Sequence, residues 1–265
     1  IKDAQKVDDL TLKIMTNGPD PILLSRLYWL KIVPPMHSKN KKFLEMPVGT
    51  GPYKFVSWKR GQNIVLERNE SYWGPMPTIE KATYLFIGEA GTRIAGLMAG
   101  ETDLVTNLLP EFTEQVPQTV NILGLEHPII ILNADGGPTK DVRVRQALNY
   151  AVDKSALAES LFEGYAEIAQ GQLLSPSFFG FNEDVGPYPY DPEKAKALIK
   201  AAGASGKTVE LIATAGRWLK DRELVESVGA YWDAVGVKTK VRIFEFTEYL
   251  NRLFDRKSRG DGIFV

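Results

Sequence analysis

The chain has 265 residues, enough for one large domain or two modest ones. Its 32 Lys and Arg almost balance its 33 Asp and Glu, so at net charge -1 it lacks the concentrated basic footprint that nucleic acid requires. Hydrophobic residues make up 44% and no stretch approaches the ~20 apolar residues of a membrane span, while the absence of cysteine excludes thiolate catalysis, disulfides and thiolate-bound metals.

In chain order, residues 10–16 alternate Leu10, Leu12 and Ile14 against Thr11, Lys13 and Met15, the pattern of a half-buried strand. Pro21 opens a short helix carrying Leu23, Leu24, Leu27 and Leu30 along one side. Residues 53–57 and 63–68 predict a hairpin turned through Lys59, Arg60, Gly61 and Gln62, followed by a strand at 81–88. Ile94, Leu97 and Met98 give helical spacing over 92–99, Gly100 stops it, and 103–105 reads as a short buried strand. A further strand is expected at 127–133.

Beyond that point helices and strands alternate. Asp141 and Asp153 are expected N-caps, the first before Val144, Leu148, Ala151 and Val152, the second before Leu157, Leu161 and Phe162. Asp191, Pro192 and Glu193 form a strong start signal for a helix through Ala195, Leu198, Ile199 and Ala202. There follow a strand at 208–213, a helix at 221–235, a strand at 237–244, a helix at 247–254 and a strand from Gly262. This order predicts a mainly parallel sheet covered on both faces. The change of grammar predicts two lobes, 1–130 and 131–265, with a hinge at 127–133. Ile1 stands close to an evident strand and the chain stops on an apolar run, so both ends read as cuts.

Catalytic and metal signatures are weak. His37 and His127 are the only histidines and have no third ligand nearby, and no nucleophile elbow occurs. Gly49 and Gly51 resemble a phosphate loop only superficially, because Pro52 lacks an N–H and no Lys-Ser/Thr pair follows; a structural turn is expected. Glu111 and Glu114 read as a solvated face. Trp58, Trp73 and Trp232 are expected to pack. Trp218 follows the C-terminal end of a strand, where open α/β sheets hold their ligand crevice, and is read either as packing or as ligand contact.

Four blocks carry a resemblance. Residues 47–62 read Pro-Val-Gly-Thr-Gly-Pro-Tyr-Lys-Phe-Val-Ser-Trp-Lys-Arg-Gly-Gln, followed by Val65–Asn69 and by Tyr72, Trp73 and Gly74. Arg93 to Asp103 reads R-x-x-x-L-x-x-G-E-x-D, Asp141 to Ala147 reads D-x-R-V-R-Q-A, and Tyr190 to Leu198 reads Y-D-P-x-K-A-x-x-L. In this order they closely resemble the family 5 extracellular solute-binding proteins, the peptide, nickel and related receptors of ABC importers. The resemblance implies an α/β, two-lobed periplasmic-binding-protein-like fold (type II, large cluster C form), truncated at both ends. It implies a monomer without cofactor or enzymatic activity, in the periplasm or outside the cell, lipid-anchored in some full-length relatives. Its expected partners are a small-molecule or peptide ligand and a membrane permease, not nucleic acid. Peptide is the first expectation, with nickel chelates, opines and oligosaccharides open.

The resemblance places the candidate ligand contacts at Trp29 and Lys31 after the short helix, and at Asn107 and Leu108 at the rim of the first lobe. Asn133 is a further candidate, with an Asx turn as its bland alternative, and Trp218 and Tyr249 complete the set. It also implies that an acid-bearing motif follows Val265, so that this stretch alone binds solute weakly. Two other classes compete: the sensor domain of a cytoplasmic transcription regulator, and a hydrolase with a crevice carboxylate. An upstream DNA-binding helix-turn-helix would favour the regulator, and an export signal the importer receptor.

Overall fold

The computed structural model describes residues 1–37, 41–122 and 124–265, with the side chains of 41, 42 and 256 left undescribed. The chain divides into two compact units, Ile1–Gly88 and Glu89–Val265. The division falls well before the hinge expected at 127–133.

The first unit is strand-rich. β1 (Asp3–Lys6) pairs antiparallel with β2 (Leu12–Met15), and α1 is one short helix, Leu23–Leu27. β3 (Tyr53–Lys59), β4 (Asn63–Arg68) and β5 (Lys81–Leu85) form an antiparallel meander. Gly61, at φ 72°, turns the first hairpin, where Gln62 N–H donates to Lys59 C=O. The segment holding Gly49 and Gly51 is indeed a structural turn: Asn69 donates its side-chain N–H to the Gly51 carbonyl and its backbone N–H to that of Pro52. Arg68 then ties this corner down through Glu70 and the Pro77 carbonyl.

The second unit begins with α2 (Ala90–Met98), capped by the Glu89 carboxylate, which accepts from the N–H groups of Gly91 and Thr92. The short buried strand expected at 103–105 does not form: these residues are irregular and Leu104 is 75% exposed. Among the described residues no strand pairs with them, and an isolated three-residue segment has no ladder to take up its backbone groups. β6 (Ile130–Leu132) is the ordered core of the strand expected at 127–133.

Three helices begin where the sequence places their caps. The carboxylates of Asp141, Asp153 and Asp191 each accept a backbone N–H in the first turn of α3 (Val142–Tyr150), α4 (Lys154–Phe162) and α5 (Pro192–Ala201). β7 (Thr208–Thr214), α6 (Asp221–Ala234), β8 (Lys238–Phe244), α7 (Phe246–Phe254, capped by Glu245) and β9 (Gly262–Phe264) complete the order. The sheet order is β6-β9-β7-β8, with β7 parallel to both β8 and β9, and β6 antiparallel to β9.

The pleat of β7 sorts the core. Val209, Leu211 and Ala213 face the cluster built with α3, α5 and α6, whereas Ile212 faces the opposite cluster with Tyr249 of α7 and Ile263 of β9. Trp232 anchors the larger cluster and spends its indole N–H on the Leu148 carbonyl at 3.0 Å. Gly229 lets α6 approach the sheet, since a Cβ there would lie 3.0 Å from Val241 Cγ2.

Candidate functional site

The candidate site is the loop joining β7 to α6, at the C-terminal edge of the parallel strands, where open α/β sheets place ligands. Asp221 organises it. This carboxylate is 4% exposed and accepts four backbone N–H groups: Gly216 at 3.0 Å and Arg222 at 2.8 Å on Oδ1, Arg217 at 2.9 Å and Trp218 at 3.0 Å on Oδ2. Charge-assisted bonds of this kind fix a loop far more firmly than neutral ones. They also hold Lys220 in the left-handed region, φ 55°, a conformation that costs a non-glycine residue ~1 kcal/mol.

Trp218 is half-buried and sits edge-on against two rings, Tyr249 at 6.4 Å and Phe264 at 5.8 Å. The Arg217 guanidinium lies 5.2 Å from the Trp218 ring. Two cations leave the same loop toward the segment before β6. Arg217 pairs with Glu126 at 3.1 Å, and Lys220 pairs with Glu111 at 2.7 Å. Glu111 belongs to a 3-10 turn, Pro110–Gln115. Burial pushes its carboxyl up, but the Lys220 ammonium and its own backbone N–H together hold it below its ordinary 4.5. Among the described residues no group of three His, Asp or Glu side chains could hold a metal ion.

The sequence profile of the bacterial extracellular solute-binding proteins, family 5 middle region, matches residues 1–261. The chain belongs to that family. It is 32% identical over 276 residues to heme-binding protein A of Haemophilus influenzae, covering 95% of this chain and 49% of that protein. It is 31% identical over 273 residues to the dipeptide-binding protein of Escherichia coli, covering 96% and 51%. The periplasmic binding protein DppA of Helicobacter pylori, in complex with the peptide STSA, superposes with a TM-score of 0.85 at 27% identity, over 100% of this chain and 53% of that one. The chain thus spans about half the length of the relatives it matches. No described helix is long and apolar enough to cross a membrane.

Within this family 5 chain, the structure brings two of the expected site residues together, Trp218 and Tyr249, in one aromatic cluster. Tyr249 is nevertheless corrected to an internal role. It is 0% exposed, its hydroxyl donates to the Phe264 carbonyl at 2.7 Å, and burial raises its pKa. Asn133 takes the bland alternative: its amide donates to the Gly260 carbonyl at 3.1 Å and its oxygen accepts Asp135 N–H at 2.9 Å, an Asx turn that pins β6 to the segment before β9. Asn107 is exposed at φ 53°, with its carbonyl accepting from Arg93, and Leu108 beside it is half-buried. Trp29 and Lys31 lie in the first unit. Trp29 is 78% exposed beside Tyr28, and the Lys31 ammonium donates to the Tyr28 carbonyl at 3.1 Å.

Sequence reasoning missed the Asp221 cradle and both ion pairs. Asp221 reads in sequence only as the first residue of a helix, although an acid just after a Gly-containing loop is a signal for N–H capture. Glu111 reads as a solvated face, and its partner stands 109 residues away, a separation that no local pattern encodes.

Proposed function

We propose that the chain is part of the solute-binding component of an ABC importer, which captures a small solute, first of all a peptide, between two lobes and delivers it to a membrane permease. The observation that carries this reading is the TM-score of 0.85 over the whole chain to a peptide-bound relative, with a dipeptide-binding protein among the sequence relatives. Ligand that touches both lobes favours the closed arrangement, and the hinge absorbs the change in a few backbone residues. The proposed lobes are 1–130 and 131–265, with the hinge at 127–133. The antiparallel pairing of β6 with β9 supports this, since β6 carries the chain into the second sheet. The ion pairs from Glu111 and Glu126 to the 215–220 loop both lie inside the second compact unit, Glu89–Val265.

The ligand-facing residues in this reading are Trp218, Asn107 and Leu108, with Trp29 and Lys31 from the first unit. The half-buried indole of Trp218 supplies sequence-tolerant contact area at a fixed position. A charged peptide terminus loses its water on entry, so the cleft must return opposite charge and donors to it. The reading also places the protein outside the cytoplasm, as a monomer and without catalytic chemistry. Isothermal titration of the full-length protein against di- and tripeptides, Ni(L-His) and heme tests it. Saturable binding of a peptide is expected; silence toward all three classes would discard the proposal.

A further inference from the structure

The segment leading into β6 is held in an unusual way. Its apolar side chains Val120, Ile122 and Leu125 are 76%, 78% and 65% exposed, whereas Pro110 is buried and Phe112 and Val116 are half-buried, so apolar burial holds its start and not its later part. Two ion pairs join it to the 215–220 loop, Arg217 with Glu126 and Lys220 with Glu111. These lie 91 and 109 residues apart in sequence, on opposite sides of β6. Both cations come from the loop that Asp221 rigidifies, and the Lys220 side chain is only 16% exposed, which shields its pair from salt better than a free surface contact. Trp218, between them, turns inward onto Tyr249 and Phe264 and leaves the two charged arms to reach across.

We propose that Lys220–Glu111 and Arg217–Glu126 form an electrostatic clasp that holds the 215–220 loop against the 110–126 segment and thereby sets the open–closed equilibrium in the absence of solute. The proposal rests on the two-lobe reading and adds its regulation. A pair of this exposure biases an equilibrium modestly, about threefold each and about tenfold together, so the clasp makes and breaks readily. A loop welded by apolar burial would not release. Solute leaves only when the clasp opens, so weakening it speeds dissociation as well as widening the resting state.

The test uses the full-length protein with Glu114→Cys and Glu223→Cys, two exposed positions, with any cysteine outside residues 1–265 replaced by Ser. Spin labels there report the separation by electron–electron resonance without any ligand. One dominant short separation is expected. Lys220→Glu should shift the population toward longer separations by about tenfold, through lost attraction and new repulsion. One molar NaCl should move the wild type the same way. The charge swap Glu111→Lys with Lys220→Glu should restore the short separation, which separates a clasp from a folding defect. An unchanged distribution in a Lys220→Glu protein of unaltered melting temperature would overturn the proposal, as would a swap that fails to restore it. If the labels respond as expected while no solute binds, the transport reading falls and the intramolecular contact stands. If solute binds and the labels do not respond, the clasp alone is discarded.

Discussion

The two compact units differ sharply in how they use their apolar residues. Every fully buried hydrophobic side chain among the described residues lies at or beyond Ile94, and the only buried residue among the described ones in 1–88 is the polar Asn69. The first unit has the alternating strands its sequence promises, yet Leu10, Leu24, Trp29 and Ile32 are 99%, 82%, 78% and 93% exposed. The second unit encloses Trp232, Leu148, Ile199 and Val225 almost completely. Local pattern makes a strand, whereas burial makes it stable, and the two need not coincide in one stretch of chain.

That contrast can be broken by matched truncations. Trp232→Ala removes a ring that is 2% exposed together with its bond to Leu148, and should cost about 3–5 kcal/mol in a denaturant titration. Trp58→Ala, at a ring 37% exposed beneath Arg60, should cost under about 1 kcal/mol. Equal losses would mean that the first unit is as well packed as the second. Next in size is Asp221→Ala, which strips four N–H groups of their acceptor and should cost about 3 kcal/mol. Amide exchange at 216–222 should accelerate more than in β8, and uniform acceleration would show that the carboxylate is not a local organiser. Tyr249→Phe should cost about 1 kcal/mol by calorimetry while leaving solute affinity unchanged. A selective loss of affinity would return Tyr249 to the ligand surface.

The smallest effects concern pH, where two carboxylates of the second unit behave oppositely. Hydrogen bonds from the Arg143 guanidinium and backbone hold Asp141 down to about 2 from its ordinary 3.8. Its stabilisation is complete above pH 3.8 and disappears as pH falls through about 2. Asp261 is pushed above 3.8 by burial and by the Glu210 charge, against the lowering effect of the Glu210 N–H. The folded state binds that proton more tightly, so its burial penalty is relieved as pH falls from the raised value toward 3.8. Carboxyl titration by NMR should place the two midpoints on opposite sides of the ordinary value; both below it would contradict the burial of Asp261.

Much of the second unit was legible in the sequence because its signals are local. Asp141, Asp153 and Asp191 cap what they are expected to cap, and the strand at 208–213 extends by one residue to become β7. The failures are non-local. Residues 103–105 read as a strand but pair with no described strand, and Tyr249 of α7 reads as a site aromatic although its partner Phe264 stands 15 residues on in β9. The site suffered most: Glu111 and Glu126 acquire their roles only through tertiary contact, and the local N–H cradle of Asp221 was passed over because Asp221 reads as a helix start.

Small-angle scattering of the full-length protein, with and without a saturating peptide, tests the central claim most directly. Closure of two lobes about 127–133 predicts that the radius of gyration falls on binding and returns when the peptide is removed. Saturable binding at an unchanged radius, in a protein whose ligand-free state is already as compact as its complex, would contradict capture by hinge closure.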